Sequence, residues 1–184
     1  MAPCPTPTTS DPQHVRYIRQ ALFCAQQSLH VPTAFRVGCV LVSSPTHPTR
    51  PSTLLSTGYS RELPGNTHAE QCALDKWLDP SSTMINPVPS SPRKEERENL
   101  FQGASCYTTM EPCSQRLSGN LPCVQRILET GISRIYIGVE EPKDFVECEG
   151  TRLLKEAGRE VWVVVDPADP TLGERCLKVA RGEA

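Results

Sequence analysis

Apolar, strand-length runs alternate with helical segments along this chain, and that alternation restricts the fold more than any other feature. "FRVGCVLVS" (35–43) is β-branched and continuously apolar, as in a buried strand. Residues 53–58, "ASCYTTM" (104–110), "ISRIYIGV" (132–139) and "EVWVVV" (160–165) read as four further strands. Helices are expected at 12–29, 67–78, 122–131, 150–157 and 171–181. In the first, Val15, Ile18, Leu22, Ala25 and Leu29 recur at helical spacing, after an Asp11-Pro12 start that suits an N-cap and a first-turn proline. The helix at 122–131 opens on Pro and closes on Gly. The order α-β-β-α-β-α-β-α-β-α predicts an α/β domain with a mostly parallel sheet and helices on both faces. The first two strands, joined without a helix, are expected to form an antiparallel hairpin.

Most of the eighteen prolines sit in the N-terminus, in 45–51 and in 80–92, where they mark loops. Residues 1–11 are therefore expected to form a disordered arm. Residues 12–184 are expected to form one domain, interrupted at about 79–103 by an exposed insertion that turns helical near Arg93–Leu100. No apolar run approaches the roughly 18 residues that cross a bilayer. The start "MAPCPTPTTS" has neither the basic nor the apolar part of a secretory signal. A reducing, cytoplasmic location is expected, with the nine cysteines free. Cys24, Cys39 and Cys106 read as small hydrophobes. Nineteen basic against 21 acidic residues leave no electrostatic footprint for nucleic acid.

The stretch "GNTHAEQCALDKW" (65–77) has two readings. Thr67-x-x-Glu70 fits a capping box. Alternatively, His68 holds a metal and Glu70 moves protons beside it. Local pattern alone does not choose between them. Downstream, "TTMEPCSQRLSGNLPCVQRIL" carries Cys113 and Cys123, nine residues between them and each preceded by Pro. Cys123 falls at a helix start, where the dipole and free N–H groups favour a thiolate. A catalytic zinc takes three protein ligands and keeps one position open, and His68, Cys113 and Cys123 supply three. Two thiolates offset the metal charge, so its water needs a nearby base, for which Glu70 is the candidate. This is the logic of zinc-dependent nucleobase deaminases, with a longer spacer between the cysteines. Cys72, four residues after His68, is an alternative ligand, although it shares an apolar stripe with Ala69 and Trp77.

"GYSRELPGNTHAEQCAL", "YTTMEPCSQRLSGNLPCVQRIL" and "IGVEEPKDFVECEGTRLLKEAG" together resemble the pyrimidine deaminases of fungal riboflavin biosynthesis, a branch of the cytidine-deaminase superfamily. The resemblance runs from about residue 12 to 166 and implies a three-layer α-β-α sandwich around a central five-stranded mixed sheet. It implies hydrolysis of the 2-amino group of 2,5-diamino-6-ribitylamino-4(3H)-pyrimidinone 5′-phosphate, with one zinc per subunit. His68, Cys113 and Cys123 match the ligand positions and Glu70 the proton shuttle. It also suggests a homo-oligomer, with a dimer favoured, that the apolar "IYIGV" and "VWVVV" strands could support. Bacterial relatives carry an Asn-Pro pair before V-G-C; here "TAFRVGC" lacks that Asn, which turns attention to Asn66 for the pyrimidine edge.

A phosphorylated, hydroxyl-rich substrate asks for cations and amides near the metal. Arg61, Arg116, Ser114, Ser118 and Asn120 lie on the two bordering loops, with the arginines favoured for the phosphate. The strand end Thr109–Glu111 offers backbone carbonyls to the departing amine. Two rival functions remain. One is a deaminase of cytidine, deoxycytidylate or tRNA adenosine. The other is a structural zinc module for a protein partner, closed by Cys72 as a fourth ligand.

Overall fold

The computed structural model describes residues 5–79, 93–116, 118–140 and 149–183. Its strands are β1 (Thr8–Thr9), β2 (Gly38–Val42), β3 (Leu54–Tyr59), β4 (Ser105–Thr108), β5 (Arg134–Ile137) and β6 (Glu160–Val164). The helices are α1 (Pro12–Gln27), α2 (Ala69–Leu78), α3 (Lys94–Asn99), α4 (Cys123–Leu128), α5 (Gly150–Glu156) and α6 (Leu172–Arg181). The strands form one sheet in the order β1-β6-β5-β4-β2-β3. β2 is antiparallel to both β3 and β4, so the expected hairpin is present, and the remaining pairs are parallel.

Side chains alternate between two cores. Cys39, Leu41, Cys106, Ile135, Ile137 and Val161 meet α2, α4 and α5 on one face. Val40, Val42, Tyr107, Tyr136 and Val164 meet α1 and α6 on the other. This is the three-layer sandwich that the alternation predicts. α1 starts as its sequence dictates, with the Asp11 carboxylate accepting the Gln13 N–H at 2.8 Å and Pro at the first position. Cys39 and Cys106 are fully buried on neighbouring strands with sulfurs 3.6 Å apart, consistent with their apolar reading.

Two expectations need correction. The sheet has six strands instead of five, because Thr8–Thr9, inside the segment expected to be disordered, adds to the edge of β6. The N–H groups of Val163 and Val165 donate to Pro7 O and Thr9 O, both at 2.9 Å. Proline lacks an N–H but keeps its carbonyl, so a Pro/Thr run can still satisfy one exposed edge. Residues 1–4 lie outside the described residues. The second correction concerns 79–103. Residues 80–92 lie outside the described residues; α3 forms where a helix was expected and is largely exposed, but Leu100 and Phe101 after it are buried in the α2 face of the core. The Trp77 indole donates to Arg97 O at 3.1 Å and ties α3 to α2.

Two glycines set how closely the helices lie on the sheet. A Cβ at Gly38 would fall 1.9 Å from Ala21 O of α1, and one at Gly58 would fall 2.3 Å from Ala69 O in the first turn of α2. Neither obstacle is a flexible side chain. Gly58→Ala is expected to lift the start of α2 and destabilise the fold by about 1–3 kcal/mol. Guanidinium unfolding measures this, and an unchanged midpoint would show that α2 shifts freely.

Candidate active site

The loop before α2 turns twice through left-handed backbone, at Arg61 (φ 63°) and Gly65 (φ 89°), and is closed by Arg61 N donating to Thr67 O at 2.8 Å. His68 then occupies the N-cap in extended conformation, which frees its ring from the helix surface. The capping box allowed by Thr67 and Glu70 is not formed. Thr67 Oγ1 donates to Leu63 O at 2.9 Å, and Glu70 turns inward, only 3% exposed, where Thr108 Oγ1 lies 2.9 Å from its Oε1.

The sulfurs arrive from the other side. Cys113 lies in the loop after β4, and Cys123 opens α4 with Pro122 as its N-cap. The Cys123 N–H points at Cys113 Sγ (3.4 Å) and the Val124 N–H at Cys113 O (3.2 Å), so the start of α4 folds the ten-residue step back on itself. His68 Nδ1 is 3.5 Å from Cys113 Sγ and 3.5 Å from Cys123 Sγ, and all three donor atoms lie within 4.8 Å of one another. Metal–sulfur and metal–nitrogen bonds of about 2.3 and 2.0–2.1 Å at a tetrahedral centre put a sulfur and a nitrogen about 3.5 Å apart. The donor set therefore fits one tetrahedral zinc ion. Among the described residues, the group comprises these three and excludes Cys72, whose buried thiol instead meets the Thr67 side chain.

Electrostatics follow from this crowding. A hydrogen bond from the Cys123 side chain, with further help from His68, lowers the Cys113 pKa to about 4 against the opposing effect of burial. That same contact, together with burial, raises Cys123. A divalent cation held here would take both sulfurs as thiolates. Burial, followed by the charge on Cys113, raises the Glu70 pKa.

His68, Glu70 and Cys113 open onto a cavity of about 540 Å³, within the usual range for small-molecule sites. Of the residues expected to meet substrate, Asn66 and Arg61 line it. The Arg61 guanidinium also donates to Leu29 O (2.6 Å) and Ser28 Oγ (3.0 Å), and burial lowers its pKa. Arg116 is not in the wall; it donates to Gln71 Oε1 (2.9 Å) and to Asn66 O, bracing the Asn66 turn from behind. Ser114 Oγ accepts from Glu149 N (3.3 Å), and Ser118 and Asn120 are exposed; none of the three lines the cavity. Met110 and Glu111, from the strand end expected to meet the departing amine, also line it, while other parts of the wall were not foreseen. Thr33 and Phe35 come from the segment before β2, and Arg181 and Glu183 from the end of α6. Arg36 N donates to Ala180 O at 2.9 Å and brings these distant pieces together, a contact with no local sequence signal.

The family described as the cytidine and deoxycytidylate deaminase zinc-binding region matches residues 11–139, a span that holds all three donors and Glu70. The chain belongs to this family. As a member of the deaminase family, it is 39% identical over 167 residues to the diaminohydroxyphosphoribosylamino-pyrimidine deaminase of Schizosaccharomyces pombe. That alignment covers 91% of this chain but 35% of the relative, so the chain spans about a third of that protein's length. Among solved structures, a C-terminal deletion mutant of Aspergillus oryzae Rib2 deaminase is 38% identical with a TM-score of 0.68, covering 92% of this chain and 91% of that one. The same deaminase in complex with DARIPP is 37% identical with a TM-score of 0.67, over the same shares of both chains.

Proposed function

We propose that this deaminase-family chain hydrolyses the 2-amino group of 2,5-diamino-6-ribitylamino-4(3H)-pyrimidinone 5′-phosphate, the step of riboflavin biosynthesis that releases ammonia. The observation that carries this reading is the near-complete, mutual alignment with a fungal deaminase captured with DARIPP. In this reading His68, Cys113 and Cys123 hold one zinc ion and Glu70 is the proton shuttle. Zinc, when bound, supplies Lewis acidity that makes water a nucleophile at neutral pH.

The chain's own residues do the rest. Glu70 takes a proton from the attacking water and delivers it to the ring nitrogen beside C2. It then carries the second proton to the amino group, so one water is consumed and one ammonia leaves. A buried carboxylate whose pKa is raised is a stronger base than an exposed one, so it takes the proton of the attacking water more readily. Asn66 faces the pyrimidine edge, and Arg61 supplies positive charge within the same cavity for the phosphate arm. Arg116 serves this reading indirectly, by fixing the Asn66 turn. A cytoplasmic location, where thiolates stay reduced, and a homodimeric assembly belong to the same proposal. Among the described residues, no helix is long and apolar enough to cross a membrane.

The test is ammonia release from the ribitylamino pyrimidine phosphate, its ribosylamino counterpart, cytidine, deoxycytidylate and tRNA. The ribitylamino compound is expected to have the highest kcat/KM. Faster turnover of deoxycytidylate or of tRNA would move the chain to another branch of the family, and zinc without any turnover would favour the scaffold reading.

A further inference from the structure

We propose that Thr108 is a positioning residue that holds the Glu70 carboxyl in its working orientation; this rests on the deaminase reading. Thr108 ends β4 and has no exposed surface. Its backbone is fixed on both sides, paired with Cys39 of β2 and Ile137 of β5, and its carbonyl accepts from Gly138 N at 2.9 Å. Its hydroxyl lies 2.9 Å from Glu70 Oε1 and 3.0 Å from Met110 O. A β-branched side chain on a central strand has little rotameric freedom. Glu70, by contrast, reaches its place through a long, flexible side chain from the first turn of α2.

Thr108 is suited to this role by where it sits. The Glu70 carboxyl also meets the Cys123 side chain and its own N–H. In the proposed enzyme Cys123 is committed to the metal, and the Glu70 N–H moves with the helix that carries the side chain. Thr108 is the partner anchored in the rigid sheet. Its one hydroxyl hydrogen faces two oxygen acceptors, so the bond to Glu70 is shared with the carbonyl of Met110. Met110 itself lines the cavity. A single hydroxyl thereby links the proton shuttle to the loop carrying Cys113, and the strand spaces them.

The test compares Thr108→Val, Thr108→Ala and Thr108→Ser. The valine and alanine variants are expected to keep one zinc per chain and a KM within about twofold of wild type. Their kcat falls on the order of 10- to 100-fold, as expected for a catalytic group displaced by about an ångström. Thr108→Ser, which retains the hydroxyl, recovers most of that loss. A crystal structure of the valine or alanine variant reads the claim without turnover. It is expected to show the Glu70 carboxyl displaced while His68, Cys113 and Cys123 stay in place. The proposal is overturned by wild-type kcat in the valine and alanine variants, by an equal loss in the serine variant, by loss of zinc together with activity, or by an unmoved Glu70. If wild type releases no ammonia from any aminopyrimidine, the deaminase reading fails separately, and the crystal structure still decides the Thr108 contact.

Discussion

Glu70→Gln is expected to keep its zinc and to lose turnover by about 10³- to 10⁴-fold, the upper part of the range for a positioned acid–base group. Glutamine preserves the shape of the side chain and an oxygen that can still accept from Thr108 Oγ1, now 2.9 Å from Glu70 Oε1. It also leaves the His68–Cys113–Cys123 donor set untouched, so folding and metal content are expected to stay at the wild-type level. What it removes is the capacity to take a proton from water and hand it to the amine. Metal analysis and single-substrate kinetics on the same preparation check both halves. A variant with more than a tenth of the wild-type kcat would refute the shuttle role. A variant that lost zinc would mean that Glu70 supports the metal centre directly.

Cys123→Ser carries the second large effect, on stability as well as activity. Cys123 is fully buried at the first position of α4, and its backbone N–H already points at Cys113 Sγ. The neutral serine hydroxyl is a poor zinc ligand, so the site loses affinity and the folded state loses its linkage to metal binding. With free zinc near 1,000 times its Kd, that linkage is about 4 kcal/mol. For a chain of this length it corresponds to a fall of roughly 10 °C in Tm. Chelator should bring the wild type down to the same Tm and leave the variant unmoved. Retained zinc together with an unchanged Tm would remove Cys123 from the ligand set.

The α/β alternation was readable because apolar runs and helical spacing are properties of contiguous residues. β1 was not, because Thr8–Thr9 sits in a Pro/Thr run, and nothing in that composition signals that Pro7 O and Thr9 O take the N–H groups of Val163 and Val165. Leu100 and Phe101 were hidden by the charged α3 before them, although both are buried in the core. Residue chemistry brought His68, Cys113 and Cys123 to notice, and the fold brings their donor atoms together. The spacing of Thr67 and Glu70 fitted a cap equally well. What the spacing lacked was the competing acceptor, Leu63 O, which takes the Thr67 hydroxyl. Arg116 attracted attention by its charge, yet its guanidinium reaches Asn66 O and Gln71 instead of the cavity. Arg181 and Glu183 had no local signal, since only the packing of α6 against the segment before β2 places them in the wall.

Zinc-edge X-ray absorption on the purified chain tests the central claim most directly. The account predicts one zinc per chain bound by two sulfurs at about 2.3 Å and two lighter atoms at about 2.0–2.1 Å, one an imidazole nitrogen and one exchangeable with solvent. A third sulfur in the shell, or a chain that purifies active without stoichiometric zinc, would contradict it.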